Sequence, residues 1–171
     1  MRARLTSLAL MLVTAGVVAQ LPAQQKGKQA PQPPKTYTSA KEVASMMAKA
    51  KNERKQDQAN FIQGILRLDP YSANLEYRGA VGPAAVHEKE AELFYVIDGS
   101  GTLVTGGKLA GETRTNPENL SGTAIEGGNT QDVGKGDFFI VPENTPHWFS
   151  KINGTLVLMS LHVPRPVPAA H

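Results

Sequence analysis

His87 and Glu92 stand five residues apart, and His147 opens the stretch HWFS much later in the chain. An imidazole offers a neutral nitrogen lone pair, and a glutamate a charged oxygen. Two imidazoles and one carboxylate suit a divalent transition ion that keeps open positions for other molecules. Each residue also has a plainer use. His87 can be a turn residue beside Glu88 and Lys89, His147 a core histidine bonded to backbone, and Glu92 a partner of Lys89 or Arg78. Only the fold can bring the three together.

The surrounding sequence supplies elements able to position them. The run LFYVI follows Glu92 and reads as a strand entered from a polar turn. Strand alternation puts Glu92, Phe94 and Val96 on one face and Leu93, Tyr95 and Ile97 on the other. His147 follows the kinked segment VPENTP and starts a second strand. Trp148 alternates away from it, toward core or interface. Phe94, Phe138, Ile140 and Phe149 are expected to line the interior. Glu76 and Arg78 share one face of an earlier strand, with Tyr77 on the other. His162, in the apolar run TLVLMSLHV, reads as structural, with wall residue or ligand as its other uses.

Two stretches resemble the paired motifs of the cupin superfamily. In GAVGPAAVHEKEAELFYVIDG, the positions Gly79, Ala85, His87, Glu92 and Gly99 fall in the frame of the first motif. In GDFFIVPENTPHWFSK, the positions Gly136, Pro142, Asn144, His147 and Lys151 fall in that of the second. The resemblance covers roughly residues 62–164. There are three departures. Ala85 stands at the first histidine position, so the usual three-histidine, one-glutamate set is one ligand short. Asn144 replaces a glycine, and Asn tolerates positive φ best among the other residues. Lys151 replaces an asparagine.

The resemblance implies an all-β fold, the double-stranded β-helix or jelly-roll-like barrel, here with an N-terminal α-helix. It implies one divalent transition metal per chain at His87, Glu92 and His147, with iron or copper favoured and manganese, zinc or nickel as alternatives. The leading function is a metal-dependent oxidase or dioxygenase acting on a small organic or carbohydrate substrate. The alternatives are a metal-assisted isomerase or lyase, with Glu76, Tyr77 or Lys151 as the candidates for proton transfer, and a non-catalytic barrel binding a small ligand. No residue is assigned as catalytic.

The rest of the chain sets the context. Arg2 and Arg4 precede the apolar run from Leu5 to Val18, then small residues, which is the pattern of an export signal over 1–23 with cleavage before Gln20 or Gln24. The run is too short for a stable membrane anchor, so a secreted or periplasmic protein without one is expected. The 171 residues contain no cysteine, so export would bring no disulfide. The net charge of +3 resides partly in the leader and in the Lys-rich segment before Gln56. Without interleaved aromatics this argues against a nucleic-acid partner. Residues 24–37 are polar and Pro-rich and read as a disordered linker.

Ser39 and Glu42 form a capping box, and Val43, Met46, Met47 and Ala50 recur at helical spacing. A helix over 40–58 is expected, inside an N-terminal segment 38–60. A barrel over 61–171 follows, with Asp98 to Gly101 as a turn, a Gly-rich insertion over 106–132, and a final strand over 155–163. The helix's apolar face and the family's habit of pairing barrels imply a homodimer.

Overall fold

The computed structural model describes residues 33–165. The export signal expected over 1–23 and most of the proline-rich segment expected over 24–37 lie outside the described residues. From Lys35 onward the chain is held against the barrel, because Lys35 and Arg67 exchange backbone hydrogen bonds of 2.7 and 2.8 Å. Among the described residues, no helix is long and apolar enough to cross a membrane.

Helix α1 spans Ala40–Glu53. Its capping box forms as expected, with Glu42 N donating to Ser39 Oγ and Ser39 N to Glu42 Oε2. The helix ends five residues earlier than its periodicity suggests. Arg54 turns extended and its guanidinium donates to the carbonyls of Lys55 and Gln58. The same guanidinium lies over Gly79, where a Cβ would collide with it.

Eleven strands follow among the described residues: β1 (Asn60–Leu68), β2 (Tyr71–Arg78), β3 (Ala84–His87), β4 (Glu90–Thr105), β5 (Lys108–Ala110), β6 (Thr113–Asn116), β7 (Asn119–Gly122), β8 (Ala124–Glu126), β9 (Asn129–Gly134), β10 (Phe138–Val141) and β11 (His147–Pro164). All pairings are antiparallel.

Two expected breaks are absent. Asp98 to Gly101 does not reverse the chain, and the short strand at His147 runs on into the last one. β4 and β11 instead form one long ribbon, paired from His147↔Thr105 to Pro164↔Glu90. Bulges take up the bend at Gly99, whose φ is 81° and whose missing Cβ leaves room for the carbonyl oxygen of Thr155. Glycine therefore bends the ribbon here rather than ending it.

Two apolar clusters sit on opposite faces of the sheet. Phe94, Val96, Leu103, Val133, Val141, Phe149, Leu156 and Leu158 fill the interior, with Phe139 against them. Ile65, Ala73, Leu75 and Val157 form the second, and Val43, Met46 and Met47 of α1 pack on it. The methionines therefore have a packing role on the chain's own barrel.

Phe138 and Ile140 do not line the interior. Phe139 pairs with Phe94 and joins the core, which turns Phe138 (65% exposed) and Ile140 (56%) outward beside Tyr95 (40%). The residues FFIV are all apolar, so their composition cannot set the phase of alternation.

Candidate metal centre

Strands β3 and β11 of the barrel bring histidines to one carboxylate on β4. Glu92 lies near the start of β4 and is 4% exposed. His87 ends β3, with its Nε2 3.3 Å from Glu92 Oε2. His147 opens β11 and places its Nε2 3.2 Å from the same oxygen. The three residues expected to meet are thus side by side.

The turn before His147 depends on Asn144, whose φ is 56° and whose N–H donates to the carbonyl of His87 at 2.7 Å. The residue replacing glycine adopts the conformation glycine would have supplied, and the bond ties the two motifs together.

A third imidazole also arrives. His162 Nε2 lies 3.3 Å from Glu92 Oε1. Fifteen residues separate His147 from His162, a span of roughly 50 Å in extended chain. Both nevertheless reach Glu92, because β11 curls until its two ends meet at the same place. His162, expected to be structural, thus also reaches the carboxylate that His87 and His147 approach. The signal that could have found it is the cross-strand pair His162↔Glu92, which depends on a long-range register.

The other ring nitrogens are held by acceptors. Asn119 Oδ1 is 2.8 Å from His87 Nδ1, the Thr145 carbonyl 3.3 Å from His147 Nδ1, and Glu90 Oε2 3.1 Å from His162 Nδ1. A carbonyl or carboxylate oxygen can only accept, so each Nδ1 carries a hydrogen and each Nε2 faces Glu92. Asn119 and Glu90 were not singled out from the sequence. Asn119 belongs to the Gly-rich insertion, and β7 brings it opposite His87 in register. The insertion therefore supplies a partner to the site.

Burial alone would push the Glu92 carboxyl up. With the imidazoles protonated, hydrogen bonds from His147 and His87 outweigh burial and hold it well below the usual carboxylate range. Burial likewise pulls the His87 imidazole down, but its bonds with Glu92 and Asn119 carry it above its ordinary value. Glu92 is thus charged and attracts cations.

Aromatic rings form the wall beside the site. Phe94 lies 6.2 Å from the His147 ring, 5.0 Å from Phe139 and 5.8 Å from Phe149, measured between centroids. Trp148 points elsewhere, donating from Nε1 to the carbonyl of Gly82. Of the residues considered for proton transfer, Tyr77 packs in the apolar layer beneath α1, and Lys151 is exposed. Glu76 is held by Asn60 and Arg78.

The fold and this cluster define an all-β barrel with a candidate centre of histidine and glutamate. The family model described as "Cupin" matches residues 37–165, so the chain belongs to the cupin family. No curated protein matches in sequence. Among solved structures, similar chains include that of "FeII HppE" (13% identity, 62% of this chain and 52% of that one, TM-score 0.48). KdgF from Halomonas sp. is 17% identical over 66% of this chain and 87% of that one, with a TM-score of 0.47. The Schizosaccharomyces pombe Cnp3 cupin domain is 15% identical over 67% and 71%, with a TM-score of 0.47. This chain spans about half the length of the HppE chain it matches.

Proposed function

We propose that this chain is an exported cupin that binds one divalent transition ion per chain at His87, Glu92 and His147. Its function on this reading is oxidative chemistry with dioxygen on a small organic or carbohydrate substrate. One observation carries the metal reading. Ring nitrogens whose opposite nitrogens are already committed to acceptors converge on a buried carboxylate.

If those imidazoles are neutral, their lone pairs face a negative charge with no donor between them. If they are all protonated, several positive charges share one buried carboxylate, and each buried ion costs several kcal/mol to desolvate. A cation at the convergence removes both difficulties.

The donors fit the proposed metals. Imidazole nitrogen with carboxylate oxygen suits iron and copper, and also manganese, zinc and nickel. Bound there, iron or copper would supply a redox couple and open positions for dioxygen and a substrate oxygen. The chain's own residues do the rest. Glu92 contributes the negative charge, Asn119 and the Thr145 carbonyl fix the two rings, and Phe94, Phe139 and Phe149 keep water from that side.

Elemental analysis tests this reading on native protein recovered from outside the cytoplasm, with mass spectrometry fixing its first residue at Gln20 or Gln24. Iron or copper near one per chain is expected, with oxygen uptake on some member of a substrate panel. Zinc or manganese without oxygen uptake would favour isomerase or lyase chemistry. Absence of any metal would leave a ligand-binding barrel, and an intact Met1 would end the export reading.

We also propose a homodimer, on a different face from the one the helix suggested. Val43, Met46 and Met47 are already covered by the barrel, whereas Tyr95, Phe138 and Ile140 form an uncovered apolar stripe on paired strands. A second copy of this chain is the proposed occupant. Light scattering should give a dimer at micromolar concentration, and Phe138→Asp should give a monomer. A monomeric wild type would refute the pairing.

A further inference from the structure

Glu92 has one imidazole more than the two-histidine set requires, and the first cupin motif lacks one. The vacancy is Ala85, which pairs with His147 across the ladder. The surplus ring is His162, at the other end of β11. Among the described residues, one group of donors has all its ligand atoms within 4.8 Å of one another. It comprises His87, Glu92 and His162; His147 is outside that group and meets the cluster through Glu92 Oε2, 3.2 Å from its Nε2.

The register explains how His162 is aimed. His162 pairs directly with Glu92, and Glu90 lies two residues before Glu92 on the same face of β4. Glu90 is therefore the diagonal neighbour of His162, within reach of its ring. Its Oε2 takes the Nδ1 hydrogen at 3.1 Å, which turns Nε2 toward Glu92 Oε1 at 3.3 Å. A carboxylate that fixes the far nitrogen of a ring and raises its basicity is the usual support for a metal-binding histidine.

We infer that His162, oriented by Glu90, is a metal ligand that takes over the donor place vacant at Ala85. The centre then has three histidines and one glutamate, with one histidine moved from β3 to the end of β11. This rests on the metal reading above. It assigns His162 as a ligand and Glu90 as a positioning residue. The competing role is a protonated His162 bridging Glu90 and Glu92, with no bond to the ion.

Copper(II) serves as the probe. Electron paramagnetic resonance counts the imidazole nitrogens on the bound ion, and competition with a chelator gives its affinity. Wild type should show three imidazoles and His162→Ala two, with affinity at least about 100-fold lower. Glu90→Gln should keep three while weakening binding by about 10-fold. Adding Ala85→His to the His162→Ala protein should restore the third imidazole and most of the affinity. Circular dichroism checks that the variants keep the barrel, and the wild-type count needs no variant at all. Two imidazoles in wild type, with unchanged affinity in His162→Ala, would overturn the assignment and leave the two-histidine site standing. A wild type that takes up no copper and carries no other metal would overturn both.

Discussion

Glu92→Gln should lower metal affinity at least about 100-fold, and more than either His87→Ala or His147→Ala. The carboxylate is the charged member of the cluster, and His87, His147 and His162 all direct Nε2 at it. An amide of the same size keeps the packing but removes the charge that offsets a divalent ion's desolvation. Its NH₂ group also turns one acceptor into a donor facing lone pairs. Each histidine variant removes one neutral donor and leaves the charge in place, so its loss should be smaller, though still enough to strip metal during dialysis. The barrel should survive all three changes, because its interior is built from apolar residues such as Phe94, Val96 and Leu158 and the ion is not expected to fold it. Elemental analysis after dialysis, with thermal unfolding beside it, measures both outcomes. Glu92→Gln protein holding wild-type metal would place the ion elsewhere.

The parts of this site that a linear reading reaches are those encoded by local spacing. His87, Glu92 and His147 lie in motif frames whose turns are local, and Asn144 could be judged from its own backbone preference. The alternation of Glu92, Phe94 and Val96 was legible because a polar turn fixed where the strand began. Phe138 to Val141 offered no such anchor, since four apolar residues in succession read the same in either phase. His162, Glu90 and Asn119 were harder still. Each reaches the site through pairing with a distant strand, by His162↔Glu92 and His87↔Asn119. That register follows from how β4 and β11 bend around the barrel, and the bends sit at glycines that also read as ordinary turns. The helix shows the same division. Its start is a local capping pattern, whereas its end depends on where Arg54 finds the carbonyls of Lys55 and Gln58.

Glu76→Ala should destabilise the barrel by roughly 3 kcal/mol while leaving its metal content intact. Glu76 is 4% exposed and accepts hydrogen bonds from Asn60 Nδ2, at 2.7 Å, and from Arg78 Nη2. The Arg78 guanidinium lies over the Phe149 ring, 4.6 Å from its centroid. Without the carboxylate, that cation would remain against apolar surface with its partner gone. Little slack exists nearby, because Arg78 Nε and Asn60 Oδ1 are buried without partners. The melting temperature should fall by about 10 °C. The metal should remain, because Glu76 pairs with Leu158, four residues and roughly 13 Å along β11 from His162. Replacing both charges, as Glu76→Leu with Arg78→Met, should recover most of the loss, since a buried pair gains little over well-packed apolar residues of similar volume. Chemical denaturation of the two single variants and the double gives the coupling directly. A single variant that loses less than about 1 kcal/mol would mean that the pair is not a structural tie. Glu76 and Arg78 would then be better read as polar groups kept in the interior to meet a substrate.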